Sequence, residues 1–406
     1  MSAYRKQYSC ETTLVRLIED WKKAKDDGCT TAILSTDMTK AFDSLHPTLL
    51  LAKLKAYGLS QCALDLMSSY FSDRVNRTRM GTITSNWVET KRGCPQGSSL
   101  GPLLWNIYQN DLAYVEMRSN LPMYADDHQI YCFDKDPEQA LRELKKDGKN
   151  ASKWYKENFL EGNLNKYNIM VITKQPKQQL DVEIDGFRIK QAEDLKLLGV
   201  IIDDDLTFSK HISATGKKAS MRVGVLMRLR KLIPVEAKLQ IYKTAILPYL
   251  TYCGLSWHFC RKSDSNKLER INERGLRAVY CDWNSPYSEL LIRAKLTTLY
   301  NRRLQDIAIF MYKVKNNQVP QNVLELFPHS PANYNLRNND FFIPRVRTTT
   351  YGKHSLRFFG PYLWAKLQSS IRNSNSLSSF KIAIRKMDLS ALIISDVCKD
   401  CNLCHC

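Results

Sequence analysis

The sequence predicts an α+β domain over residues 1–205, a helical region over 206–319 and a helical, irregular extension over 320–406. Three observations predict it. Strand-like and helix-like runs mix over the first two hundred residues, as in an α+β or α/β domain. From Phe208 to about Val314 the pattern is mostly helical. From about Pro320 the chain turns rich in Asn, Ser and Pro, with aromatic islands at Phe358-Phe359 and Tyr362-Leu363-Trp364. The 406 residues, 44% of them hydrophobic, suffice for two or three folded domains.

Each element has its own signal. Thr12 to Asp26 reads as a helix, because Leu14, Leu17, Ile18 and Trp21 share a face and Gly28 lies just past the end. Thr30 to Asp37 is a strand carrying Ile33 and Leu34 and ending on an acid. Pro47 fits the first turn of a second helix, with Leu49, Leu50 and Leu54 inside it and Gly58 after it. A third runs about Gln61 to Phe71. Arg74 to Arg92 is a basic, hairpin-like stretch with Gly81 and Ser85-Asn86 near its turn. The loop Gly93 to Ser98 leads into a helix through Leu103, Leu104, Ile107 and Leu112. A strand pair follows around Asp126-Asp127. Asp136-Pro137 caps a long helix to about Phe159. Ile169 to Thr173 is a strand, Leu180 to Lys190 a hairpin turning at Asp185-Gly186, and Leu197 to Ile202 one more strand.

Composition narrows the partners. The formal charge is +19, from 60 basic and 41 acidic residues. That favours a polyanion, nucleic acid before a membrane surface. Between Lys210 and Val235 there is no acid, yet Lys217, Lys218, Arg222, Arg228, Arg230 and Lys231 lie there. A helix with this face can track a phosphate backbone; a solvated basic surface is the plain alternative. The start, Met1-Ser2-Ala3-Tyr4-Arg5-Lys6, has no apolar core of a secretory signal. An intracellular protein is expected, nucleus or cytoplasm left open. The longest uncharged run, Thr244 to Cys260, holds Pro248, His258 and several hydroxyls, and so reads as a buried core helix and not a membrane span. Without a secretory signal the scattered cysteines read as reduced thiols.

The chemistry centres on Met123-Tyr124-Ala125-Asp126-Asp127. Neighbouring side chains of a regular strand point to opposite faces, so both carboxylates reach one site only at the bend of a hairpin. Side by side they repel, and one takes up a proton unless a divalent cation is bound. The pair therefore suggests a metal site, if a third acid joins it; in a surface turn it would mean nothing. Asp37, closing its strand, is that candidate. Mg²⁺ suits such a set, as a hard ion held by carboxylates, phosphate oxygens and water. Two such ions ~4 Å apart activate an attacking hydroxyl and stabilise a leaving pyrophosphate.

These residues carry a resemblance. Asp37-Met38-Thr39-Lys40-Ala41-Phe42-Asp43, then Pro95-Gln96-Gly97-Ser98 with Leu100-Gly101-Pro102-Leu103-Leu104, then Tyr124-Ala125-Asp126-Asp127 resemble, in order, the three central palm motifs of reverse transcriptases. The likeness is to non-LTR (LINE-type, Jockey-like) retrotransposons. Tyr4-Arg5-Lys6 with Ser9-Cys10 is similar to the stretch before the palm. Leu197-Leu198-Gly199-Val200 is similar to the primer-grip region, and Lys238 to Trp257 to the thumb-side helices. The resemblance implies a right-hand polymerase palm with partial fingers, an α-helical thumb, and RNA-directed DNA synthesis from dNTPs on an RNA template with a DNA primer.

It also implies roles. Asp37 and Asp126 would be the main ligands of Mg²⁺, with Mn²⁺ as a substitute; Asp127 would add a weaker bond and Met38 its carbonyl. Phe42 would gate against a ribose 2′-hydroxyl, its alternative being a core aromatic. Gln96 and Gly97 would line the nascent base pair and template, and Tyr124 would pack on the primer end. Lys217, Lys218, Arg222 and Arg228 are the candidate phosphate contacts. Asp43 reads as a structural partner and His128 as packing.

Two departures stand out. Asn168 sits where the family has a lysine that assists pyrophosphate departure, and Lys166 comes two residues early. The resemblance also puts further fingers upstream of Tyr4, so a truncated element without its endonuclease is expected. A second reading, a degenerate fragment that binds nucleic acid without catalysis, therefore stays open. A viral RNA polymerase is a third, against Ala125 where Gly is common and against Phe42. The tail Cys398-x-x-Cys401-x-x-Cys404-His405-Cys406 could bind zinc, but its spacing is too tight for an ordinary finger, and a frayed terminus is the alternative.

Overall fold

The β-branched and apolar run Thr30–Thr36 becomes one of the two inner strands of a four-stranded antiparallel sheet. The order is Met123–Tyr124, Asp127–Asp134, Thr30–Thr36, Asn168–Ile172. Ala32, Ile33 and Leu34 are fully buried, as suits a strand covered on both faces. The helix Pro137–Glu157 lies against this sheet through Leu144, Ala151 and Tyr155. Gly148 permits the close approach: a Cβ there would meet Leu34 Cδ2 at 3.0 Å and Ile184 Cδ1 at 2.7 Å. The helices Pro47–Ala56, Gln61–Phe71 and Gly101–Gln109 add Leu50, Leu54, Leu64, Leu104 and Trp105 to the same core.

This computed structural model describes residues 1–175, 182–329 and 340–393. The chain falls into two compact units. One holds Met1–Tyr8 and Gly28–Leu195; the other holds Ser9–Asp27 and the chain from Lys196 onward. The two units part near residue 195, and the first helix, Cys10–Asp26, groups with the second unit. Its buried acids explain why. Glu19 accepts the Leu356 and Arg357 N–H groups at 2.7 and 2.9 Å, capping the helix Leu356–Lys366. Asp26 accepts the Arg347 and Thr348 N–H groups and the Thr348 hydroxyl at 2.7–3.1 Å.

The second unit is helical, as expected, through Ser209–Leu229, Val235–Ile241, Lys262–Tyr280, Tyr287–Ala294 and Leu299–Lys315. The C-terminal extension is more regular than its composition predicts. Phe359, Leu363, Trp364, Phe380 and Ile384 share one buried cluster with Leu304, Ile307 and Met311. The aromatic islands are therefore core. Leu197 to Ile202 is not one strand: Asp194–Leu197 and Val200–Asp203 are separated by Leu198-Gly199, with φ of 46° and 84°. Two successive positive φ values mark a tight primed turn. The buried run from Thr244 is likewise broken, since its helix ends at Thr251 and turns follow. The Asp185-Gly186 turn is as read, with φ of 53° and 79°. The cysteine tail lies outside the described residues. Among those residues, the eight cysteines are free thiols and no helix is long and apolar enough to cross a membrane.

Candidate active site

The Asp-Asp pair sits at a bend. Tyr124 pairs with Asp127 and Met123 with His128, leaving Ala125-Asp126 as a two-residue turn. Ala125 has φ of 54°, a region that L-residues seldom occupy outside turns and functional sites. The bend keeps Asp126 and Asp127 at one end of the sheet. The next strand brings the third acid there: Thr36 pairs with His128, so Asp37 follows at the level of Asp127. The acids sense one another. Asp127 keeps an exposed face, yet its carboxyl is crowded by protein. That desolvation, then the charges of Asp126 and Asp37, raises its pKa to about 6.

A lysine meets one of these acids. The Lys166 ammonium lies 3.0 Å from Asp37 Oδ2, with side chains 63% and 33% exposed. A pair this open is worth ~1 kcal/mol or less and can part readily. Lys166, two residues early in the sequence, thus still reaches the site. Among the described residues, no three His, Cys, Asp or Glu side chains are gathered as a group that could hold a metal ion as they stand. The donor chemistry nevertheless fits a hard cation: oxygen ligands with surplus negative charge. Met38 bridges Gly162 through flanking bonds, Thr39 N–H to Glu161 O and Asn163 N–H to Asp37 O. The Met38 carbonyl takes no part in that pairing.

A buried polar chain stands behind the acids. Asn106 Nδ2 donates to Ala3 O at 3.0 Å, and Gln109 Nε2 donates to Asn106 Oδ1 at 3.4 Å. His128 Nε2 meets Gln109 Oε1 at 2.9 Å, and His128 Nδ1 meets the Tyr155 hydroxyl at 3.0 Å. Tyr155 lies 3.3 Å from the Thr36 hydroxyl. Burial lowers the His128 pKa to about 3, so the ring is neutral. One nitrogen then donates to Gln109 and the other accepts from Tyr155. His128 is a strut, as expected. Gln109 was the missed member. Its sequence signal is a polar residue within the buried stripe Leu104, Trp105, Tyr108, Leu112.

The other motif residues lie in the same unit. Phe42 is half-buried, 5.2 Å from the Trp105 ring and 6.4 Å from Tyr4. It is partly core and partly accessible, so both readings of it keep a footing. Tyr4, missed as a site residue, is 58% exposed, and its pKa is raised by burial and then by the charge of Asp126. Gln96 Nε2 donates to Asp43 Oδ1 at 2.9 Å, which gives Asp43 its structural part. Gly97 has φ of 84° and open space where a Cβ would be. At Gly93, φ is 78° and a Cβ would stand 2.7 Å from Asp43 Cα, so glycine fixes this loop on the Asp37 motif. In the second unit, Lys217, Lys218, Arg222 and Arg228 are all exposed on the helix Ser209–Leu229. Arg222 is already engaged, 2.7 Å from the Tyr249 hydroxyl and 4.6 Å over its ring.

Asp37, Asp126 and Asp127 thus lie at one end of adjoining antiparallel strands, the pair of them in a hairpin bend. Residues 1–202 match the family model described as reverse transcriptase (RNA-dependent DNA polymerase), and they are a reverse transcriptase domain of the non-LTR retrotransposon kind. The chain is 27% identical over 294 residues to the probable RNA-directed DNA polymerase from transposon BS of Drosophila melanogaster, covering 68% of this chain and 32% of the relative. It is 26% identical to the corresponding X-element protein of the same fly, covering 71% and 32%. With the RNA-directed DNA polymerase from mobile element jockey of Drosophila funebris it shares 25%, covering 60% and 28%. The chain thus spans about a third of the length of the curated relatives it matches. Among solved structures it is similar to telomerase from Candida albicans in complex with a fragment of telomeric RNA, at TM-score 0.33 and 15% identity over 75% of this chain and 51% of that one. Apo telomerase from Candida tropicalis gives TM-score 0.37 and 12% identity, over 71% and 50%.

Proposed function

We propose that this chain holds the centre of an RNA-directed DNA polymerase of a retrotransposon, extending a DNA primer with dNTPs on an RNA template. The observation that carries the reading is the strand register that brings Asp37, Asp126 and Asp127 to one sheet end, within a reverse transcriptase domain. In this reading the four-stranded sheet is the palm, Met1–Tyr8 and the 74–92 hairpin belong to partial fingers, and the helices from Ser209 form the thumb. Asp37, Asp126 and the Met38 carbonyl, with Asp127 more weakly, would hold Mg²⁺ or Mn²⁺. When bound, the ions would activate the primer hydroxyl and stabilise the departing pyrophosphate.

The chain's own residues do the rest. Lys166, paired with Asp37 here, would release that carboxylate to an ion, and its flexible stem would keep the ammonium nearby. Phe42, braced on Trp105 and half-buried, would stand beside the sugar. It offers a 2′-hydroxyl neither room nor a hydrogen bond. Gly97 lets a base pair approach the backbone closely, and Gln96 and Tyr124 line the base and primer sides. Lys217, Lys218 and Arg228 would neutralise phosphates along the duplex. Run-off extension of a primed RNA tests the reading, with Asp126→Asn inactive and wild type active. No extension by wild type on any primed template, with Mg²⁺ or Mn²⁺, would favour the binding-only fragment.

A further inference from the structure

The stretch Arg74 to Arg92 folds as a β-ribbon with almost nothing to rest on. Val75–Asn76 pairs with Val88–Glu89, and Arg79–Met80 with Ile83–Thr84. Every residue from Val75 to Glu89 is exposed. A two-stranded ribbon without a packed face is marginal in water. This one nevertheless displays Met80 at 77%, Ile83 at 70% and Trp87 at 59% exposure. Exposed apolar groups gathered like this mark a surface that meets a partner.

The chemistry of that partner can be read from the charges. Arg74, Arg77, Arg79, Lys91 and Arg92 face only one acid in the stretch, Glu89. The Arg77 guanidinium lies 4.4 Å from the Trp87 ring centroid, across the ribbon. A guanidinium over one face of an indole that is otherwise exposed suits a phosphate next to an unstacked base. Paired bases within a duplex do not offer that face. At the ribbon's foot lies an open groove of about 990 Å³, lined by Arg74, Lys91, Arg92 and Gln96 and by two acids, Asp43 and Glu89, among others. It runs from the ribbon to the loop that carries Gln96 and Gly97.

We propose that the ribbon is a binding arm for single-stranded nucleic acid. A base stacks on Trp87, phosphates lie on Arg77, Arg79 and Arg92, and the strand follows the groove toward Gln96. The inference rests on the reading that this chain acts on nucleic acid, but not on catalysis.

The test is fluorescence anisotropy of a labelled oligo(U) of ~15 nucleotides with the full chain, in EDTA and without nucleotides. Trp87→Ala is expected to weaken binding roughly 5- to 100-fold, and Trp87→Phe to restore most of it. A blunt duplex of equal length should lose much less. Neutralising Arg77, Arg79 and Arg92 to Gln should lower the log–log salt slope by about 2, at ~0.7 per single-strand contact. Oligo(U) binding by Trp87→Ala within twofold of wild type would overturn the proposal. So would an equal loss on duplex, or a wild-type dimer in sedimentation that Trp87→Ala turns to monomer, which would make the partner a second copy. Since neither metal nor dNTP is present, an inactive polymerase that still shows the Trp87 effect leaves this inference standing. An active one without that effect removes this inference alone.

Discussion

Phe42 shows how one side chain serves both core and site. Its ring packs on Trp105 at 5.2 Å while remaining half-buried. Phe42→Val keeps an apolar contact and opens space beside the sugar. It should raise ribonucleotide over deoxyribonucleotide use by about 10-fold or more, measured by single-nucleotide extension with both substrates side by side. An unchanged ratio in an active variant would make Phe42 a core residue only. Two histidines of the second unit give a pH prediction. His211 accepts the Ile201 N–H through Nδ1 at 3.4 Å; burial and then Lys218 lower its pKa to about 4. Burial, then Lys22 and Lys353, lower that of His354 to about 4 as well. Both are neutral when folded, whereas an unfolded histidine takes its proton near pH 6.5. The unfolded state therefore binds more protons between those values, and stability falls as pH drops from 6.5 to 4. Each residue adds up to ~1.4 kcal/mol per pH unit. Urea titrations across that range should show the slope, and His211→Asn with His354→Asn should reduce it, leaving the share of His128, whose pKa is lowered to about 3.

At the scale of elements, the helix Ser209–Leu229 buries Ile212, Gly216, Ala219, Val223 and Leu226 and turns its basic residues outward. Neutralising Lys217, Lys218, Arg222 and Arg228 together should flatten the salt dependence of nucleic-acid binding. Arg222 is held by Tyr249, so the change should approach three contacts, about 2 to 3 in log–log slope. An unchanged slope would put the footprint elsewhere. This helix was legible because its apolar spacing and its missing acids are local signals. So was the Asp126-Asp127 bend, since two acids can share a site only at a turn. Leu198-Gly199 was not: a leucine at φ 46° is a tertiary choice that hides inside an apolar run. The Lys166–Asp37 pair was also out of reach, because it joins groups 129 residues apart through sheet register. Gln109 could be flagged only as a polar residue out of place. Its partners His128 and Tyr155 are fixed by packing.

At the scale of the whole molecule, the first helix is tied to the C-terminal extension by buried acids. Desolvation works to raise the Asp26 pKa, but bonds from the Thr348 hydroxyl and the Arg347 and Thr348 N–H groups, with Arg357 nearby, outweigh it and hold the pKa low. Asp26→Ala leaves those donors buried without their acceptor and should cost ~2–4 kcal/mol. Denaturant unfolding would show the loss, and hydrogen exchange at residues 347–356 should rise with it. A change under 0.5 kcal/mol would mean that the apolar cluster alone holds the extension. Composition had marked this extension as irregular because Asn, Ser and Pro dominate its loops. Its helices are specified by a few aromatics that find partners far away in sequence.

The central claim, that Asp37, Asp126 and Asp127 form a working polymerase centre, is tested most directly by extension of oligo(dT) on poly(rA) by the purified chain. The account predicts dTTP incorporation that requires Mg²⁺ or Mn²⁺, stops in EDTA and is abolished by Asp126→Asn. Incorporation that Asp126→Asn leaves intact, or none by wild type with either ion, would contradict it.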